Sequence, residues 1–207
     1  DAKGRRFKRR NFLPALVILA VLVLVAVIAW SVTLSGGEEQ ARPVDCNPPT
    51  SAGAPSFQQV SRADLQTVPP AALSQFQVSV LNASPARGQA RSVSDDLVEQ
   101  GFVPGDPAHG NDTVYPDQDL DCVAQIRFGQ AGQGAAAAVW LAVPCAELVN
   151  DGRVGSDVDL VLGRHFDQLP TSQDVQAALE ALRAVDPRNP KSTVDPSLLD
   201  AVHQQSC

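Results

Sequence analysis

The chain is 207 residues long and acidic, with a formal net charge of −7. Residues 1–11 carry six basic side chains and one acidic one, whereas the rest of the chain carries 10 basic and 22 acidic side chains. Nucleic-acid binding requires a clustered basic surface, so the composition beyond residue 11 excludes it. Direct electrostatic binding of an anionic wall polymer is disfavoured for the same reason. Binding to basic or neutral partners is compatible with this composition.

A charge-free apolar run, residues 12–34, follows a short basic tail, residues 1–11. At about 1.5 Å rise per residue this run forms a helix of roughly 34 Å, enough to cross a hydrocarbon core of about 30 Å. Short basic flanks stay on the cytoplasmic side of a membrane. The sequence therefore predicts a single-pass cell-membrane anchor that contacts the lipid bilayer through residues 12–34, with the N-terminus in the cytoplasm and the rest outside. The basic residues that set this topology are Arg5, Arg6, Lys8, Arg9 and Arg10.

A removable export signal is the alternative interpretation of residues 12–34, because residues 8–13 are similar to the twin-arginine export pattern. The apolar run is longer than the core of about 7–15 residues that signal peptides use. The bulky Trp30 also spoils the small-residue cleavage pattern that would end at Ala29. A retained anchor is favoured, and under both interpretations the following domain is exported.

Residues 35–73 are rich in Pro, Gly, Ser, Ala and Gln, which is typical of an extracytoplasmic linker. A cysteine inside this segment predicts that the linker is tied to a folded body. All four cysteines lie in the exported part of the chain, where disulfides persist. Since no C-x-x-C pair accompanies them, two disulfides are favoured over a zinc site. The four residues are Cys46, Cys122, Cys145 and Cys207.

Residues 74–168 alternate between strand and helix patterns, which predicts one α/β domain. Strands are expected at residues 76–80, from 102, at 124–128 and at 158–162, and helices at residues 86–100 and 134–143. The order strand, helix, strand, strand, helix, strand (βαββαβ) is that of the split βαβ sandwich. This α+β fold has two layers, with helices over one face of a four-stranded sheet.

Residues 169–207 are predicted to form a C-terminal helical extension. Thr171–Asp174 is a capping-box pattern that opens one helix, and several prolines then break the chain before a short terminal helix.

The face of the sheet opposite the helices is predicted to be exposed and polar. The two strands expected at its centre, residues 76–80 and 124–128, point polar side chains outward. These side chains form a candidate partner-binding surface, although a simply hydrated face explains the same pattern. The candidate residues are Gln77, Ser79, Gln125 and Arg127.

No motif in the chain indicates a cofactor, a metal or a catalytic centre. Asp117–Asp121 is similar to the opening of a calcium loop, but Cys122 and Phe128 stand where that loop needs Gly and Glu. The glycine run Gly129–Gly134 matches neither a dinucleotide-binding nor a P-loop spacing. There is no G-x-S-x-G elbow, and no histidine lies in a motif with a nucleophile. The chain is therefore predicted not to be an enzyme and to need no cofactor.

Several stretches of the domain resemble the LytR C-terminal domain family. Val80–Ser84 and Leu97–Phe102 resemble the family's first strand end and its x-G-F turn, and Ile126–Gly129 and Val158–Gly163 resemble its later strands. The resemblance covers about residues 75–168. It implies a cell-envelope location, a LytR C-terminal type of fold and, usually, attachment to a LytR-type transferase domain. No catalytic residue is matched and no segment here is long enough for that transferase, so a non-enzymatic envelope module is expected.

Two functions from different classes are expected. The first is a membrane-anchored scaffold or binding module that supports the integrity of the cell envelope. The second is an accessory subunit of an integral-membrane enzyme or transporter, docked through its span and its acidic domain. Under both, the partner is another membrane or envelope protein.

Distances along the predicted elements favour one of the three possible disulfide pairings. Cys122 precedes a strand taken here as the six residues 123–128, and Cys145 follows the helix that returns over it. Because the strand covers about 20 Å and the helix about 21 Å, these two cysteines are predicted to meet. By elimination, Cys46 is predicted to pair with Cys207.

Overall fold

The structure, a computed structural model, describes residues 13–34, 42–51, 53–186, 188, 194–204 and 207. The chain separates into two compact units, with the boundary at residue 42. The first contains one helix, α1 (Leu13–Leu34), whose side chains are described for residues 17–27. Across the described part of the chain, no helix has the length and apolarity needed to cross a bilayer. The anchor therefore stays a prediction, and the basic tail with its five topology residues lies outside the described residues.

The second unit is built on one mixed sheet of six strands in the order β1-β5-β4-β6-β2-β3. The strands are β1 (Gln58–Gln59), β2 (Gln77–Asn82), β3 (Val103–Asn111), β4 (Ala124–Phe128), β5 (Ala146–Asn150) and β6 (Val158–Leu162). Three neighbouring pairs are parallel, namely β2 with β3, β2 with β6 and β4 with β5. The pairs β4 with β6 and β1 with β5 are antiparallel.

The described residues of this unit contain five α-helices and a short 3-10 helix, Gln130–Gly132. The α-helices are α2 (Arg62–Gln66), α3 (Gln89–Glu99), α4 (Gln133–Ala142), α5 (Gln173–Arg183) and α6 (Pro196–His203). Helix α3 connects the parallel strands β2 and β3, and α4 connects β4 and β5, as parallel pairing requires. Helix α5 begins where the Ser172 hydroxyl accepts a hydrogen bond from the Val175 N–H at 3.3 Å, within the predicted capping pattern.

The main hydrophobic core lies between one face of the sheet and the helices. Alternate residues of the strands, such as Ile126 and Leu160, pack there against α3, α4 and α5. Trp140 of α4 is the largest fully buried side chain. A second, smaller cluster lies on the other face and consists of Ala83, Tyr115, Leu120, Cys122 and Val161.

The α/β class and the placement of the helices are confirmed, but the four-stranded arrangement is wrong. Strands β2 and β4, predicted to be neighbours, are separated by β6. Strand β5 is missing from the sequence prediction because its adjacent apolar residues Leu148 and Val149 interrupt the alternation of polar and apolar side chains that marks β2 and β4. Strand β1 and helix α2 lie within residues 35–73, the predicted linker.

The predicted disulfide pairing is also wrong. Cys46 bonds to Cys122 and Cys145 bonds to Cys207, with Cα separations of 4.8 and 5.5 Å. Cys122 belongs to the small cluster on the second face, whereas Cys145 packs against the main core on the helix face. The lengths of the strand and the helix correctly place Cys122 and Cys145 at the same end of the sheet. They do not show on which face of the sheet each cysteine lies.

Candidate functional site

A folded segment, residues 42–60, crosses the second face of the sheet, and we refer to it as the strap. The strap is held by the disulfide from Cys46 and by hydrogen bonds from the Val123 N–H to the Pro43 carbonyl and from the Val60 N–H to the Leu148 carbonyl, at 3.0 and 2.8 Å. Asn47 accepts two further hydrogen bonds. The part of the second face that β4 and β5 form is therefore covered by this segment.

Asn47 fixes the middle of the strap to the loop that precedes β4. Its backbone carbonyl accepts a hydrogen bond from the Tyr115 hydroxyl, and its side-chain oxygen accepts one from the Asp121 N–H, each at 2.6 Å. Burial raises the pKa of Tyr115 to about 12, with Arg127 opposing the shift and Glu147 adding to it. The phenol is therefore a hydrogen-bond donor throughout the physiological pH range.

A buried polar network lies beneath the strap, and Arg127 is at its centre. The Arg127 Nη1 donates to Asp112 Oδ1 at 2.7 Å and Nη2 donates to Oδ2 at 3.3 Å, so the ion pair is bidentate. The Nε of Arg127 donates to Gln125 Oε1 at 2.7 Å. Gln125 in turn donates to Glu147 at 2.6 Å, and Gln59 of the strap donates to the other oxygen of Glu147 at 3.2 Å.

Aromatic rings pack against the Arg127 guanidinium. The ring centroid of Phe57, a strap residue, lies 4.7 Å from it, and that of Tyr115 lies 5.8 Å away. The side chains of Arg127 and Asp112 are only 4% and 1% exposed. The network thus links β4, β5 and the strap, and its central ion pair is almost fully buried.

The four predicted partner-binding residues do not form one exposed surface. Gln125 and Arg127 are buried in the network, so their predicted exposure is wrong. Gln77 is exposed, and Ser79 is half-buried, with its hydroxyl donating to the Pro107 carbonyl at 2.8 Å. Asp159 of β6 lies between Ser79 and Arg127 in the sheet register. A partner-binding role for this set stays a prediction.

Asp159 belongs to a separate ion cluster on the loop after β5. Arg153 pairs with Asp151 at 2.6 Å and also with Asp159. Burial raises the pKa of Asp151, but hydrogen bonds from the side chain and backbone of Arg153 outweigh this and lower it. The cluster holds the loop at residues 151–157 to the start of β6.

The network satisfies its own polar groups. Among the described residues, buried side-chain atoms without a hydrogen-bond partner belong to Gln100 and His203, neither of which is in the network. A small cleft of about 290 Å³ remains between the strap and the sheet, lined by Phe57, Tyr115 and Glu147 among others. Within the described ranges, no group of three or more His, Cys, Asp or Glu side chains is placed to hold a metal.

Sequence reasoning missed four members of the network: Gln59, Asp112, Tyr115 and Glu147. One signal was available, because an arginine in the middle of a strand of otherwise uncharged residues needs a buried counter-charge. Asp112 and Glu147 were acidic candidates for that role, but only the fold shows that Asp112 is the partner.

A second feature is an acidic groove between α3 and α5, with a volume of about 540 Å³. Carboxylates of Asp96, Glu99 and Glu180 lie along it, Arg183 is the one basic lining residue, and Leu169 and Leu179 contribute apolar surface. The two disulfides and the acidic surface make this unit a cross-linked domain of the kind found outside the cytoplasm.

Comparison with known proteins gives the family. Residues 75–166 match the LytR_C family, described as the LytR cell envelope-related transcriptional attenuator. The chain is 43% identical to the cell envelope integrity protein Cei of Mycobacterium tuberculosis, across all of this chain and 95% of that protein.

A solved structure supports the same relationship. The soluble domain of a conserved hypothetical secreted protein from Mycobacterium marinum is 45% identical, with a TM-score of 0.64. The match covers 75% of this chain and all of the crystallised domain. With identity at this level, both fold and ancestry are shared, and the chain belongs to the LytR C-terminal domain family, among the proteins similar to Cei.

Proposed function

We propose that the protein is a single-pass, membrane-anchored module of the cell envelope that supports envelope integrity as a scaffold or binding protein and not as an enzyme. One observation carries this proposal: Arg127, Asp112, Gln125 and Glu147 are occupied in holding the strap to the sheet. These contacts give the buried side chains a structural role, which supports a scaffold or binding function for the domain. Similarity to Cei, whose name gives a role in envelope integrity, supports the location.

The anchor is proposed from the apolar run at residues 12–34 and the basic tail before it. An anchor at this position would keep the exported domain attached to the membrane.

The anchor and its orientation can be tested with a reporter fused after Cys207 in the full chain. We expect reporter activity only outside the cytoplasm and recovery of the fusion with membranes after an alkaline wash. A matched fusion in which residues 12–34 are deleted should stay in the cytoplasm. Cytoplasmic activity of the full-length fusion would refute the orientation, and a mature product lacking residues 12–34 would refute the retained anchor.

The envelope role can be tested by deleting the gene in the source organism and measuring sensitivity to cell-wall hydrolases and wall-directed antibiotics. The full chain should restore resistance. A version exported by a cleavable signal in place of residues 12–34 should restore it poorly, because it is released from the membrane. A deletion strain that is as resistant as its parent under every envelope stress would refute the proposal.

The acidic groove favours a second candidate function, that of an accessory subunit docked on a basic segment of another membrane protein. Asp96, Glu99 and Glu180 complement positive charge, and the apolar lining provides contact area. The double change Glu99→Gln and Glu180→Gln should reduce recovery of co-purifying membrane proteins in mild detergent. The pair Asp117→Asn and Asp119→Asn, outside the groove, is the matched control. Equal recovery from both variants would refute docking through the groove.

A further inference from the structure

A groove of about 580 Å³ lies where β2 ends, α3 begins and β3 ends, away from the strap and from the acidic groove. Arg87, Arg91 and His109 line it, together with the amide side chains of Asn111 and Gln118. None of its lining residues is a carboxylate. Every side chain named here offers a hydrogen-bond donor, and two of them carry a permanent positive charge.

These basic side chains are available to a ligand. Arg87 and His109 are exposed, and neither side chain has a hydrogen-bond or ion-pair partner among the residues that the structure describes. Arg91 lies 4.0 Å from Asp95, but both side chains are more than 70% exposed. An exposed pair at this distance contributes little, so Asp95 does not compete strongly for the Arg91 guanidinium.

The turn that carries Arg87 is held in place from inside the domain. The buried Asn82 donates to the carbonyls of Ser84 and Ala86 at 2.9 and 3.0 Å and accepts from the Ser84 hydroxyl at 2.9 Å. Gln89 bridges the same hydroxyl to the Phe166 carbonyl. The groove is therefore bounded by a fixed turn, which lowers the backbone entropy lost when Arg87 binds a ligand.

We propose that this groove binds the phosphate group of a small or terminal phosphoester. Guanidinium groups recognise phosphate oxygens through paired, charge-assisted hydrogen bonds, and amide N–H groups can complete the shell. The rest of the exported domain is acidic, so a long polyanion would be repelled outside the groove, whereas a single phosphate fits within it. The phosphoester can come from a soluble or polymer-borne sugar phosphate or from a phospholipid headgroup.

The test is calorimetric titration of the full chain in a neutral detergent, at constant ionic strength. Inorganic phosphate, glycerol phosphate and micelles doped with short-chain phosphatidylglycerol are the three probes. We expect saturable binding of phosphate-bearing probes. The change Arg87→Gln should weaken it by about fivefold or more, as expected when a charge-assisted hydrogen bond is lost. Arg91→Gln is a second, independent variant with the same expected direction.

Arg188→Gln is the matched control, because Arg188 is exposed and does not line the groove. The Arg188→Gln variant should bind each probe with the same affinity as the unchanged chain. Tighter binding of phosphatidylglycerol than of glycerol phosphate would identify a headgroup, and equal binding would identify a soluble or polymer-borne phosphoester. The proposal is overturned if no probe binds saturably, or if Arg87→Gln and Arg91→Gln bind like Arg188→Gln.

Discussion

At the scale of single residues, each buried charged side chain in the described part of the chain has a hydrogen-bond partner. The Arg127–Asp112 pair is almost fully removed from water, and Asp112 Oδ2 also accepts the backbone N–H groups of Val114 and Tyr115 at 3.1 and 2.9 Å. Burying one of these charges alone would be far more costly than burying both. Arg127 therefore acts as a structural residue of the second sheet face.

Replacing Arg127 with methionine should destabilise the domain by about 3–5 kcal/mol, because Asp112 is left buried without a counter-charge. The double variant Arg127→Met with Asp112→Asn should recover part of this loss. Denaturant unfolding measures the free energy of unfolding of both variants. The control is Arg188→Gln at an exposed position, whose free energy of unfolding should lie within about 0.5 kcal/mol of that of the unchanged protein. A loss below about 1 kcal/mol for the single variant would contradict the structural role of the pair.

His203 is the second residue whose environment predicts a measurable effect. Its ring stacks on Trp140 with 3.7 Å between centroids, and both ring nitrogens are buried without a partner. Burial lowers the pKa of His203 to about 4, opposed by Asp200 and reinforced by Arg62.

The unfolded chain binds a proton at His203 near pH 6.5, whereas the folded chain binds it only near pH 4. Stability should therefore be fully present above pH 6.5 and fall as the pH is lowered from 6.5 towards 4. After allowance for partial solvent exposure, the loss should be about 1–2 kcal/mol. His203→Phe keeps the stacking and should flatten this part of the pH profile, while the exposed His109→Gln should not. Identical profiles for both variants would contradict the assignment.

At the scale of elements, close approach between chain segments sets where side chains are allowed. Gly163 follows β6, and a Cβ built there would lie 2.1 Å from the Cys122 carbonyl oxygen. A Cβ built at Gly110 in β3 would meet only a methyl group of Leu81, at 3.8 Å. The contact at Gly163 involves backbone, so it cannot be relieved by rotating a side chain.

Gly163→Ala should cost about 2 kcal/mol or more, because the backbone of β6 or of the segment before β4 must move. Gly110→Ala is the matched control and should change stability by about 0.5 kcal/mol or less, since its added methyl group makes an ordinary contact. Thermal melts of the two variants under identical conditions make the comparison. Similar melting temperatures would show that the segments are not packed as closely as described.

At the scale of the whole molecule, two disulfides attach peripheral segments to the sheet from opposite faces. Cys46–Cys122 fixes the strap and closes a separation of 76 residues, and Cys145–Cys207 fixes the C-terminus across 62 residues. On the chain-entropy model, each cross-link of this length stabilises the folded state by about 4–5 kcal/mol, and measured values are typically about 2–4 kcal/mol.

Removing each disulfide should loosen a different segment. The pair Cys46→Ser and Cys122→Ser should speed hydrogen exchange in residues 42–60, whereas Cys145→Ser and Cys207→Ser should speed it in α6. Each double variant is the control for the other, and each should lose about 2–4 kcal/mol of stability. Non-reducing peptide mapping that linked Cys122 to Cys145 would contradict the pairing described.

The sequence by itself determined the α/β class, the family, the strands at residues 124–128 and 158–162, and the helices on one face. The class, the strands and the helices follow from local periodicity and capping, which depend on neighbours within about ten residues. The family follows from the resemblance of short stretches such as Val80–Ser84 and Leu97–Phe102. Only the tertiary structure decided the strand order, the disulfide pairing and the burial of Arg127. Each of these depends on which face of the sheet a distant segment covers, and the strap that covers the second face has the composition of a free linker.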